Sequence, residues 1–204
     1  MKKLIFLFLL YFVFYNNYAQ ESNTKTRLGL DLFLENTISS ERIQTGENVG
    51  YFADYDKTNF QIGLQVERYL NNKITLNSGL NYSNRDFTGT YFCQVCDFSL
   101  PPEPEEIKFQ FLEIPLSLKY YFFRNNFRPF IDLGLINQFA IKNEITEKKY
   151  VILGKTGVGL DYNFNSNASI QVLFNYNRAI TKMFEESDFK PEVLSIGIGF
   201  RRRL

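Results

Sequence analysis

The 204-residue sequence contains no histidine and no tryptophan, and only two cysteines. Without histidine, the commonest general base of hydrolytic enzymes is missing. Two cysteines and no histidine also fall short of the usual four-ligand zinc set. Haem attachment of the c type needs a His after the second Cys of a Cys-x-x-Cys pair, and Asp97 stands there instead. Neither charge sign is in excess, since the formal net charge is +1. A basic surface for nucleic acid is therefore not expected. Beyond the N-terminus there is no long apolar run, because Gly, Asn, Lys or Asp interrupts every apolar stretch within a few residues. A transmembrane helix needs about 20 such residues, so no later segment qualifies.

The N-terminus reads differently. Lys2 and Lys3 precede an apolar run over residues 4–15, followed by the polar stretch Asn16-Asn17-Tyr18-Ala19-Gln20. This is the anatomy of a secretory signal peptide, with cleavage expected after Ala19. The division is then residues 1–19 as signal peptide and 20–204 as one mature domain. No Cys stands at the cleavage site to take a lipid. An exported chain without a spanning helix is either soluble or a closed barrel.

What the chain does have is aromatics, 22 Phe and 13 Tyr, and period-two alternation. Leu28, Leu30, Leu32 and Leu34 alternate with Gly29, Asp31, Phe33 and Glu35. Ile170, Val172, Phe174 and Tyr176 alternate with Ser169, Gln171 and Asn175. Side chains on a strand alternate faces, so each segment has one apolar and one polar side. Six further segments behave alike, around Phe60, Ile74, Ile114, Ile131, Val158 and Leu194. One phase slip occurs where Phe109 and Phe111 give way to Leu112 and Ile114, and a β-bulge near Phe111 or Leu112 would restore the facing.

The connections sort by length. Leu70-Asn71-Asn72-Lys73, Arg124-Asn125-Asn126 and Asn165-Ser166-Asn167 are short and rich in Asn, which suits tight turns. The other four, over residues 36–59, 86–106, 142–149 and 181–192, are longer. Short turns at one end and long loops at the other mark a transmembrane barrel, with the long loops outside. The expected fold is all-β, an eight-stranded antiparallel up-and-down transmembrane β-barrel. Eight strands enclose only enough room for side chains, so the interior is expected to be filled. A soluble lipocalin-like barrel with its apolar face inward is the competing architecture.

The polar face carries Asp31, Glu35, Glu67, Glu113, Asp132 and Asp161 together with Lys119, Lys155 and Arg201, and Asp31, Glu67, Glu113, Lys119, Asp132, Lys155 and Asp161 are expected to form an interior charge network. Tyr82, Tyr120, Tyr121, Phe122, Phe123, Tyr162, Phe164, Tyr176 and Phe200 are expected in interfacial girdles. After Phe200 come Arg201-Arg202-Arg203, read as meeting lipid phosphates. Cys93 and Cys96 lie in the second long loop, where a local disulfide is the expectation for an oxidising compartment. Tyr51, Phe52 and Tyr55 in the first long loop are candidate contacts for a glycan or protein, or fold back on the rim. No cofactor or metal is expected.

The segment Phe111-Leu112-Glu113-Ile114-Pro115-Leu116-Ser117-Leu118-Lys119-Tyr120-Tyr121-Phe122 resembles the Leu-Glu-Ile-Pro-Leu-x-Leu-Lys-Tyr strand of the PorT-like outer-membrane β-barrel family of Bacteroidetes. Tyr18-Ala19-Gln20 and the late pairs Gly157-Val158-Gly159 and Gly197-Ile198-Gly199 are similar to that family as well. The resemblance implies an eight-stranded barrel in the outer membrane. Some relatives are tied to gliding or type IX secretion. The functional expectation is a non-enzymatic, monomeric barrel with a structural or docking role in the cell envelope. Its partners would be outer-membrane lipid and envelope or secretion proteins. A surface binding module using the long loops is the alternative.

Overall fold

The computed structural model describes residues 26–96, 102–123, 125–143, 145, 149–164, 167–184 and 189–204. The expected signal peptide, Arg124 of one short turn, and Asn165 and Ser166 of another lie outside these residues. Eight long strands make the barrel: β1 (Thr26–Thr37), β4 (Asn59–Tyr69), β5 (Ile74–Asn84), β8 (Phe109–Tyr121), β9 (Phe127–Asn143), β10 (Tyr150–Asn163), β11 (Ala168–Ala179) and β12 (Glu192–Arg203). All neighbours are antiparallel, and β1 closes the barrel by pairing with both β4 and β12. Closure leaves no unpaired edge within the barrel, as a membrane requires.

The alternation decides which face is which. Leu64 is 65% exposed, and Leu30, Ile62, Leu116, Leu133, Val172, Ile196 and Ile198 are also exposed, while Asp31, Gln65, Ser117, Asp132, Gln171 and Ser195 are buried. The apolar face points outward, so the lipocalin-like arrangement is excluded. Such a contiguous apolar belt has no place in water and fits a bilayer. Aromatic residues bound the belt. Tyr120, Phe122, Phe127, Tyr162, Phe164 and Phe200 lie toward the short turns, and Phe60, Tyr82, Phe139, Tyr150 and Tyr176 toward the long loops. Tyr121 departs from the expected girdle. It is fully buried inside the barrel, stacked on Tyr69 at 6.1 Å between ring centroids.

The bulge falls on a different strand from the one expected. Phe109, Phe111 and Glu113 all face inward in unbroken alternation on β8. The irregularity is on β9, where Lys142 pairs with Gln110 and Ala140 with Phe111, leaving Ile141 as the extra residue. The apolar phase changes on β8 because its loop end faces an apolar plug rather than the polar lumen.

The first two long connections are not irregular loops. They form a second sheet, ordered β2 (Arg42–Gln44), β3 (Val49–Asp54), β6 (Phe87–Cys93) and β7 (Glu105–Ile107). Only Arg85 and Asp86 separate β5 from β6, and only Lys108 separates β7 from β8. The sheet is thus a bent extension of the barrel wall, a lid. Its inner face, with Ile43, Ala53, Phe87 and Ile107, packs on Phe109, Phe111, Ile136, Val151, Leu153 and Ala179 at the barrel mouth, joined by Met183 and Phe184. Full burial of each large side chain contributes about 1.5–3 kcal/mol, so the plug is a major part of what holds the lid down.

Candidate functional site

Beneath the plug the lumen is charged and paired. Six carboxylates, those of Asp31, Glu35, Glu67, Glu113, Asp132 and Asp161, meet six cations, those of Arg27, Arg85, Lys119, Arg128, Lys155 and Arg201. The pairs form three layers. At the turn end Asp161 receives Arg27 at 3.1 Å and also Arg128. Arg27 donates further to Ser169 and Asn163, and the Arg128 guanidinium lies 4.6 Å from the Tyr121 ring centroid.

In the middle layer Glu67 accepts from Lys119 at 2.5 Å and from Arg201 Nε at 2.9 Å. Arg201 donates through both Nη atoms to Asp31, at 2.5 and 2.9 Å. Lys155 pairs with Asp132 at 2.8 Å. At the loop end Arg85 bridges Glu35 and Glu113, each at 2.8 Å. Gln61 donates to Glu113 at 2.5 Å and Ser83 to Glu35 at 2.7 Å. A buried charge without a partner is strongly unfavourable, and this pairing of each charge with an opposite one offsets much of that cost.

The seven network residues read from the sequence, Asp31, Glu67, Glu113, Lys119, Asp132, Lys155 and Asp161, therefore all sit on the inner face. They are not all brought together. Glu113 pairs at the loop end and Asp132 in the middle, so they do not form a carboxylate dyad. Arg27, Arg85 and Arg128 were missed. Arg27 is in phase with Asp31, and Arg128 with Asp132, so the alternation held a signal for both. Arg85 lies past the end of β5, where alternation says nothing. Arg201 is buried in the lumen, on the polar face where its phase put it and not at lipid phosphates, while Arg202 and Arg203 are exposed.

The lid places the loop residues. Tyr51 faces inward against the plug and meets Tyr91 edge-on at 5.6 Å. Tyr55 also packs on the plug, and its hydroxyl donates to the Ser40 carbonyl at 3.1 Å. Burial pushes the Tyr55 hydroxyl well above its ordinary pKa, with Glu41 adding to the rise and Ser39 opposing it. Only Phe52 of the three points out, and it is 51% exposed. The register aligns Arg42, Phe52 and Thr90 on the outer face, with Gln44, Gly50 and Phe92 in the adjacent row. Gly50 is needed there, since a Cβ would lie 2.8 Å from the Phe92 ring. Phe52 and Phe92 pack at 4.8 Å, and the Arg42 guanidinium lies 4.8 Å from the Phe92 centroid. Cys93 and Cys96 are joined in a disulfide at the end of β6, with Cα atoms 5.4 Å apart.

Among the described residues no group of His, Cys, Asp and Glu is arranged to hold a metal ion. A cavity of about 20 Å³ lies between the plug and the lumen, bordered by Tyr55, Arg85, Phe87, Phe109 and Gln138. That is room for about one water.

Residues 5–201 match the family described as outer membrane protein beta-barrel domain. The chain belongs to this family. The barrel is accordingly an outer-membrane protein with its apolar belt in the lipid. No curated protein matches the sequence. Among solved structures, neisserial surface protein A aligns at 16% identity and a TM-score of 0.55, covering 90% of this chain and 100% of that one. OprG of Pseudomonas aeruginosa aligns at 14% identity and 0.53, covering 89% and 97%. The Escherichia coli outer membrane protease OmpT aligns at 10% and 0.50, covering 91% and 99%. At these identities the likeness is one of fold. The narrower PorT-like grouping is not distinguished by it.

Proposed function

We propose that the protein is a closed, non-enzymatic barrel that anchors its lid at the outer surface, as a structural or docking element of the cell envelope. The supporting observation is a double closure. The lumen is filled by paired charges, and the mouth is stoppered by the apolar plug under the lid. Solutes then have no path, and the interior carboxylates have no access to a substrate. What remains for a partner is the lid's outer face, where Phe52 and Phe92 pack together and Arg42 of the edge strand lies over the Phe92 ring.

The Leu112-Glu113-Ile114-Pro115-Leu116 strand supports the PorT-like grouping and, with it, a partner within a secretion assembly. In this reading a cleaved signal delivers the chain, and the mature protein begins at Gln20. Three measurements test it. Planar-bilayer recordings are expected to give no porin-sized conductance. Crosslinked envelopes are expected to yield the barrel with other envelope proteins, captured through the lid. N-terminal sequencing of the mature chain is expected to start at Gln20. A large steady conductance, or recovery of the monomer alone, would sink the docking role.

A further inference from the structure

We propose that the outer rim of the barrel binds the phosphate-bearing headgroup of an outer-leaflet glycolipid, through Arg42, Arg178 and Lys190. The three cations come from separate elements, the lid strand β2, the loop end of β11 and the connection before β12. They line one open groove of about 500 Å³ together with Ser39, Ser40 and Gln44.

The groove lies at headgroup height. Arg178 is on the outward face of β11, next above the girdle residue Tyr176 on that face, and its side chain is 61% exposed. Its neighbour Ile38 is exposed on the same rim and, with Phe189, supplies an apolar flank. A freely diffusing anion gains nothing from that flank, whereas a lipid-borne phosphate arrives with apolar surface beside it.

The charge balance favours an anion. Glu192 is the one carboxylate on the groove, and it is already engaged, accepting from the Tyr176 hydroxyl at 2.9 Å and pairing with Arg178 Nε at 3.2 Å. This fixes the Arg178 side chain without matching all three cations. Arg42 and Lys190 have no carboxylate partner among the described residues, and Arg42 is held in place by the Phe92 ring. Guanidinium groups match phosphate geometry, and cations at this height meet the headgroup layer directly. The inference rests on the loop end facing outward.

The test is native mass spectrometry of the full chain in detergent, with a doubly phosphorylated glucosamine-disaccharide lipid as probe. The parent is expected to retain the lipid. The variant R42Q/R178Q/K190Q is expected to lose about tenfold in affinity, from lost charge-assisted contacts. The dephosphorylated lipid should bind the parent as weakly as the intact lipid binds the variant. Equal binding by the triple variant, equal binding of the dephosphorylated lipid, or displacement by inorganic phosphate would each overturn the proposal. Heat-modifiable gel migration reads folding separately. If the triple variant is misfolded, Lys190→Gln alone carries the test: a smaller loss in the same direction supports the site, and no loss overturns it.

Discussion

The Arg85 guanidinium donates to both oxygens of the Glu35 carboxylate, at 2.8 and 3.1 Å, across 50 residues of sequence. Arg85 sits at the bend where the barrel strand β5 becomes the lid strand β6. One side chain therefore ties the lid's root to the lumen. At the same bend the Asp86 carboxylate accepts from the Phe109 amide at 2.8 Å and from the Asn84 side chain at 2.7 Å.

Removing that tie leaves Glu35 and Glu113 facing each other without a cation. Arg85→Ala is expected to destabilise the barrel by about 3–5 kcal/mol, the usual cost of breaking a buried pair from one side. Urea-dependent loss of heat-modifiable migration measures this. Adding Glu113→Gln is expected to recover part of the loss, because it removes one of the orphaned charges. No recovery would mean that Arg85 acts through packing alone.

A steric prediction concerns Gly159 on the inner face of β10. The Phe130 ring lies against it, so that a Cβ would sit 2.9 Å from Cε1 of that ring. Phe130 in turn carries the Lys119 ammonium 4.6 Å from its centroid. Gly159→Ala is expected to cost about 1–3 kcal/mol by overpacking. The companion change Phe130→Leu should relieve it, read by the same unfolding assay.

The Cys93–Cys96 bridge closes a very short loop at the end of β6. Its effect on the unfolded chain is expected to be about 2 kcal/mol at most, by the loop-length relation. Cys93→Ser with Cys96→Ser should leave barrel migration unchanged and show itself only as faster proteolysis within the lid. Failure of the barrel to fold would show that the bridge does more than trim the lid.

The Tyr55 hydroxyl predicts a pH limit for the lid. Burial raises its pKa above the ordinary value of about 10. The neutral form is the one the folded lid favours, so its contribution is fully present below the unfolded pKa. It is lost as pH rises from there toward the higher folded value. Lid proteolysis is expected to accelerate above pH of about 10 in the parent. In Tyr55→Phe the acceleration should be weaker, since no hydroxyl remains there to ionise. An identical pH profile in the two proteins would rule Tyr55 out as the cause.

The sequence by itself determined the wall of this protein. Alternation of the kind seen from Leu28 to Glu35 is a local, period-two property. It assigns each residue to one of two faces without knowing what lies across the barrel. The Asn-rich turns at Asn71 and Asn125 were legible for the same reason, since turn geometry is settled within a few residues. That is why Asp31, Glu67, Asp132 and Asp161 could be placed on one face.

Only the tertiary structure decided their partners. Asp31 meets Arg201 because β1 closes on β12, joining residues 170 apart in sequence. The lid was also invisible, because β2 and β7 are three residues each, too short to alternate detectably. Once the lid folds over the mouth, the environment at the loop end changes from polar lumen to apolar plug. Phe109 and Phe111 then face inward where a charged residue would otherwise stand. Tyr51 and Tyr55 turn under the lid for the same reason, and Phe52, one pleat away, is left outside.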